Sequence, residues 1–327
     1  MNWYGRSLAS GCLAAIAGLG LLSTQAQAQA YPTRSITMIV PFAAGGPTDV
    51  IARIVTGHMA QTLGQAIIIE NVVGAGGTTA TTRAARAAND GYTLITGHMG
   101  THAASVPLYP KLAYHPEKDF EPVALLAGTP ILILARKDFP PKDLKEFIAY
   151  VKANETKVNA AHAGVGSVSN VSCELLNSVL GIKPVGVPFN GTGPAMNALV
   201  AGQVDYMCDQ IVNAVPQVNG GTIKAYAVAT SERNPSLPDV PTTTEAGLPA
   251  FQAQAWNAIF APKGTSAEVV AKLNAAVGKA LDDEGVRKRL LDLGSVIPGA
   301  AERTPAALAA LVKSEIAKWT PVLKPAT

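Results

Sequence analysis

From Ser35 onward the chain alternates short aliphatic runs with stretches of helical spacing, and most runs end in a loop of glycine, serine or asparagine. That order restricts the fold strongly, because repeated strand, helix and strand units build parallel sheet covered by helices. Residues 35–42 read as a first strand. Helical spacing follows in Ile51, Ile54, Val55, His58, Met59 and Leu63, with Thr48 or Asp49 expected as N-cap. Residues 66–70 form a second strand, 79–89 an alanine-rich helix and 92–96 a third strand, which completes a βαβαβ unit.

After a proline-punctuated stretch at 107–122 the alternation restarts with a strand at 131–135 and an amphipathic helix carrying Leu144, Phe147, Ile148 and Val151. A second lobe is expected to start here. Strands at 158–163, 185–189 and 205–208 alternate with helices at 169–180, 194–201 and 211–218. Thr265 to Glu268 and Thr242 to Glu245 have the pattern of capping boxes, the former opening a helix. Thr304 and Pro305 start a C-terminal helix along Leu308, Leu311, Val312, Glu315 and Trp319. With 327 residues, 48% apolar and only 15% charged, the chain exceeds what one core usually holds, so two lobes are expected.

The first thirty residues read differently. Arg6, an apolar run from Leu8 to Leu22 and Ala26-Gln27-Ala28 describe a signal peptide with an A-x-A site, cleaved near Ala28 or Ala30, and hence an exported protein. Cys12 would be lost with it; a lipid-attachment reading of Ala9-Ser10-Gly11-Cys12 fails because the apolar run follows the cysteine. Cys173 and Cys208 remain, in a compartment that permits disulfides. One begins a helix and the other ends a strand, so a disulfide inside the second lobe is the expectation, against the alternative of two buried thiols.

Three loops between strand and helix could carry chemistry. Pro41 to Asp49 contains Gly45 and Gly46, which let a ligand approach the backbone at the positive end of a helix, although a tight turn and an ordinary Asp49–Arg53 pair would explain the same residues. Gly164 to Asn170 offers Gly166 with the Ser167 and Ser169 hydroxyls, and Phe189 to Pro194 is a loop of the same kind. Such loops at strand C-terminal ends describe the crevice where ligands bind in open α/β sheets. Gly74-Ala75-Gly76-Gly77 is no dinucleotide fingerprint, since Thr79 replaces the third glycine. Ser167 is no nucleophile elbow, since Ser169 replaces glycine; an exported serine hydrolase using Ser167 with His162 or His98 is the minor rival. His98 and His102 lack the glutamate of a zincin, so no metal is expected. A net charge of +3 without basic runs argues against nucleic acid.

Taken together and in this order, the pieces resemble a known family. They are Tyr31-Pro32, Ile39 to Phe42 with Gly45-Gly46 and Asp49, Glu70-Asn71 before Gly74 to Gly77, and Asp90 to Leu94. Val187 to Phe189 with Gly191 and Gly193 to Ala195, Gly202 to Asp205, and Pro241-Thr242 with Glu245 to Gly247 complete the set. The family is that of the periplasmic receptors of tripartite tricarboxylate transporters, the Bug receptors, and the resemblance spans the mature chain. It implies an α/β type II periplasmic binding protein, with two lobes (31–128 with 228–327, and 129–227) joined by two crossing strands around a ligand cleft. It further implies capture of a small carboxylate, most simply a dicarboxylate, without catalysis or cofactor. The matching ligand positions are Phe42, Ala43, Gly45, Gly46, Thr48, Asp49, His98 and Thr101 in the first lobe. In the second they are Gly166, Ser167, Asn190, Gly191, Thr192 and Asp209. A monomer is expected, serving membrane permease subunits or, alternatively, a membrane sensor.

Overall fold

The aliphatic runs and glycine turns of a computed structural model, which describes residues 31–323, settle into one continuous sheet bent into two halves. The expected leader and its cleavage site lie outside the described residues. Along the chain, β1 (Ile36–Val40), α1 (Pro47–Leu63), β2 (Ile67–Asn71), α2 (Thr78–Ala85), β3 (Thr93–His98) and α3 (Ser105–Leu108) lead to β4 (Phe120–Arg136). Then come α4 (Leu144–Ala153), β5 (Asn159–His162), α5 (Val168–Leu180), β6 (Val185–Pro188), α6 (Thr192–Val200), β7 (Tyr206–Gln210), α7 (Ile211–Asn219) and β8 (Ile223–Val228). The chain finishes with β9 (Gln254–Pro262), α8 (Ala267–Asp282), α9 (Glu284–Asp292) and α10 (Pro305–Leu323).

The strand order is β2-β1-β3-β9-β4-β7-β5-β6, with β8 also paired to β4. β1 to β3 are parallel to one another, as are β5 to β7, while β9 and β4 are antiparallel to their neighbours. β4 joins the halves. Through Pro130 it pairs with β9, and from Ile131 onward with β7 and β8. The expected strand at 131–135 is thus the end of a strand 17 residues long. The proline-punctuated stretch ending at Pro122 hid its beginning; the pairing register shifts next to Pro122, so a proline that would break a regular ladder sits at a bulge. β8 and β9 were not anticipated. The other strands and long helices lie within a few residues of their expected positions, the usual scatter of element ends.

Two cores result, one on each face of the bent sheet. Met38 and Leu94 are fully buried against Ile51, Val55 and Met59 of α1 on one face, and Ile39, Ile95, Phe120 and Phe260 lie with Trp319 of α10 on the other. In α10, Thr304 accepts from the Ala307 N–H at 3.1 Å, and Leu308, Val312, Glu315 and Trp319 are buried, as their spacing predicts. The Thr242 box forms both reciprocal bonds, Glu245 N–H to Thr242 at 3.0 Å and Thr242 N–H to Glu245 at 2.7 Å, but closes a turn and no helix.

The disulfide expectation is corrected. Cys173 and Cys208 are close, being on α5 and the adjacent β7, yet both are free buried thiols. The Cys173 sulfur accepts the Cys208 backbone N–H at 3.0 Å, so it faces the main chain of its neighbour and is not bonded to the other sulfur. Burial first, and then the Cys173 side chain, push the Cys208 thiol well up.

Candidate ligand-binding site

The loop after β1 ends on Gly46, the N-cap of α1, with Pro47 at the first helical position and no side-chain cap. Proline suits that position because its missing N–H is one that a helix start leaves unpaired anyway. Thr48 and Asp49, expected as caps, are therefore inside the first turn. Gly45 turns the chain with φ +86° and donates its N–H to Asp49 Oδ2 at 3.0 Å. Asp49 also accepts from Arg53 Nε and Asn71 Nδ2, each at 2.9 Å. Burial opposes its ionisation, but these bonds outweigh it and hold the carboxyl below the ordinary range. Its charge is thus met by the loop backbone, by Arg53 of α1 and by Asn71 at the end of β2.

In the other half, three more helices begin facing the same space. Ser167 caps α5, accepting the Asn170 N–H at 3.2 Å, and the Ser169 hydroxyl accepts the Ala163 N–H at 3.0 Å. Gly191 is the N-cap of α6 and Gln210 that of α7. Thr48, Ser167, Ser169, Thr192 and Gln210, from the starts of α1, α5, α6 and α7, all line one cavity between the halves, together with Phe42, Ala43, Gly46, Asp49 and His98. The cavity measures about 300 Å³, open solvent at its mouth included. No lysine or arginine lines it among the described residues. Four converging helix starts give a positive potential from aligned backbone dipoles and free N–H groups, without a cationic side chain.

His98 adds a fixed donor. Its Nδ1 accepts the backbone N–H of Gly100 at 2.9 Å and of Thr101 at 3.3 Å, which places the ring hydrogen on Nε2. Burial holds its pKa down at about 3, so the ring is neutral. It stacks on Phe42 with centroids 5.1 Å apart, and Nε2 has no hydrogen-bond partner among the described residues.

The two halves are closed on each other, and glycines make the contact possible. A Cβ on Gly46 would lie 3.2 Å from Thr192 Oγ1, and one on Gly193 3.0 Å from the Ala44 carbonyl. A Cβ on Gly76 would overlap the Val165 carbonyl at 1.8 Å. The Ala43 N–H donates to the Asn190 carbonyl at 3.0 Å, and the Tyr109 hydroxyl to that of Val165 at 2.7 Å.

Several expected site residues stand behind the cavity wall. Gly45 shapes its loop, and Thr101 binds the His102 ring at 2.9 Å. Gly166 donates to Asn170, Gly191 packs on Ala43, and Asn190 is exposed and meets Ala43 through its carbonyl. Asp209 is fully buried, held by Asn213 at 2.6 Å and the Gln210 N–H at 2.8 Å. Burial raises its pKa to about 7. Gln210, conversely, lines the cavity and was missed. The available signal was the helix at 211–218, which follows its strand without a loop and so marks a fourth helix start.

Residues 51–326 match the family described as tripartite tricarboxylate transporter family receptor. Among solved structures, MatC from Rhodopseudomonas palustris with bound malate is 61% identical with a TM-score of 0.88, covering 90% of this chain and 100% of that one. The periplasmic binding protein BugD is 42% identical with a TM-score of 0.87, covering 90% and 98%. A second R. palustris protein, with adipate, is 32% identical with a TM-score of 0.85, covering 90% and 97%.

Proposed function

Because the chain belongs to the tripartite tricarboxylate transporter receptor family, a family of solute-binding receptors and not of enzymes, we propose that it captures a dicarboxylate of about malate's length. It would deliver this ligand in the periplasm to the membrane subunits of such a transporter. The observation that carries the reading is the convergence of four helix starts on one cavity without a basic side chain. Helix α1 approaches from the first half and α5, α6 and α7 from the second, so a carboxylate at each end of a short ligand meets its own group of donors. Malate in a 61% identical neighbour and adipate in a 32% identical one support that class.

In this reading Phe42, Ala43, Gly46, Thr48, His98, Ser167 and Thr192 touch the ligand, while Gly45, Asp49, Thr101, Gly166, Asn190, Gly191 and Asp209 shape the walls. The lobes are 31–128 with 228–327, and 129–227. The leader directs export and is removed near Ala28 or Ala30, and the mature chain acts as a monomer. Among the described residues no helix is long and apolar enough to cross a membrane.

The test is a thermal-shift and calorimetric series of malate, succinate, adipate, citrate and acetate. A ligand at 100 times its Kd adds about 2.7 kcal/mol to apparent stability. Malate or succinate should give the largest shift; a series without any dicarboxylate response refutes the reading.

A further inference from the structure

A buried polar chain runs beneath the cavity across the junction of the two halves. Thr48 Oγ1 donates to Asn257 Oδ1 at 3.1 Å, so the Asn257 amide turns its Nδ2 toward Gln210 and donates to Gln210 Oε1 at 3.0 Å. Thr129 Oγ1 donates to the same oxygen at 2.7 Å. All four residues are buried, Thr129 and Asn257 completely and Gln210 to 3% exposure. Thr129 lies on β4 next to the point where its pairing passes from β9 to β7, Asn257 lies on β9 opposite His98, and Gln210 ends β7. The chain therefore belongs to both halves of the sheet.

Two donors on Oε1 fix how the Gln210 amide faces. The opposite group, Nε2, has no hydrogen-bond partner among the described residues, and Gln210 lines the cavity. Nε2 is not one of the fully buried unpaired atoms, so it opens to the cavity with both hydrogens free, where a ligand acceptor takes the place of water. The same amide is held through its oxygen by β9 of the first half and by the joining strand β4. Rotation of the halves about β4 must change the bonds at Oε1, which span the junction.

We propose that Gln210 is a specificity-determining residue of this site: its Nε2 donates to a ligand carboxylate, while Thr129 and Asn257, as positioning residues, enforce that polarity and tie ligand contact to the junction of the halves. This rests on the dicarboxylate reading above and deepens it. An amide locked as donor favours a carboxylate oxygen and disfavours a ligand –NH2 group at the same point, because two donors would then face each other.

The experiment compares L-malate with its two half-amides by calorimetry in wild type, Gln210→Glu and Thr129→Val, with melting curves as a check on folding. Wild type should prefer malate over the half-amide whose –NH2 meets Gln210 by at least about tenfold. Gln210→Glu keeps the shape and both Oε1 bonds but turns an acceptor toward the cavity. It should weaken malate by about a hundredfold and narrow or reverse the preference. Thr129→Val leaves Gln210 in place and releases one bond; a purely structural role would weaken both ligands alike, whereas loss of polarity shrinks their ratio. If wild type binds malate and both variants keep the wild-type ratio, Gln210 does not read the ligand and the proposal is overturned. If wild type binds none of these ligands, it is the dicarboxylate reading that fails. Should Gln210→Glu not fold, the ratio in Thr129→Val decides.

Discussion

Replacing Gly46 with valine puts a branched side chain where the two halves meet while leaving its own half undisturbed. The backbone there has φ −82° and ψ 170°, an extended conformation that valine adopts readily and that the following proline favours in any case. A Cβ at this point finds Thr192 Oγ1 at 3.2 Å and the Gly193 nitrogen at 3.6 Å, both across the cleft; within its own half only the Ala43 carbonyl comes near, at 3.9 Å. The valine methyls reach further, so the halves must part to admit them. Overpacking of this kind costs about 1 to 3 kcal/mol, and here the cost falls on the closed state alone, which translates into a roughly 5- to 150-fold rise in Kd. Gly193→Ala approaches from the other side, with its Cβ 3.0 Å from the Ala44 carbonyl and 3.3 Å from the Gly46 nitrogen, backbone atoms that cannot rotate away. Calorimetric titration with malate, paired with melting curves without ligand, measures both consequences. Affinity should fall in each variant while the ligand-free melting temperature stays within about 2 °C of the parent, the range of a neutral surface change. Wild-type affinity in both would refute the argument that ligand capture requires this glycine contact.

Ser167→Ala removes the cap of α5 and should lower stability in urea by about 1 kcal/mol, besides weakening malate by about tenfold for one neutral hydrogen bond; an unchanged denaturation midpoint would contradict the capping role. Asp209 has a raised pKa in the folded protein, so its contribution to stability is full below about pH 4 and is lost as pH rises through about 7. Asp209→Asn should therefore flatten the fall in stability between pH 4 and 8 by no more than about 4 kcal/mol, and melting curves that stay parallel to wild type across that range would show that Asp209 does not titrate there. Thiol titration of the non-reduced, unfolded mature protein should find two thiols, and a count of zero would restore a disulfide between Cys173 and Cys208.

The helix starts of α1, α5 and α6 are legible in the sequence because glycine, serine and proline mark them by local chemistry alone. What the glycines admit is not legible. Gly46 and Gly193 suggest backbone open to a ligand, yet a close approach leaves the same mark whether a ligand or a second half of the protein arrives, and here they receive each other's loops. Gln210 escaped for a related reason: glutamine is no preferred cap and β7 enters α7 without a glycine or serine loop, so only the strand-to-helix junction itself marks this helix start. The first part of β4 was obscured by Pro122, the end of a proline-punctuated stretch, until the bulged pairing with β9 accommodates it. The neighbourhood of Cys173 and Cys208 follows from the alternation of layers, but whether two sulfurs face each other depends on rotamers that no spacing records.

The place of β9 in the sheet also orders the history of each molecule. It lies between β3 and β4, pairing Ile95 with Phe260 and Glu121 with Ala261, partners well over a hundred residues apart. Until residue 262 has emerged, β3 and β4 each lack a neighbour in the middle of the first half, whereas β5 to β8 and their helices form one unbroken stretch of chain. The second half can thus assemble from nearby segments while the first waits for its keystone, and closing so long a loop is the slow event in such a topology. A newly made chain that has lost residues 254–262 would retain one folded half and leave the other with two unpaired strand edges, the kind of surface that draws in further strands and aggregates.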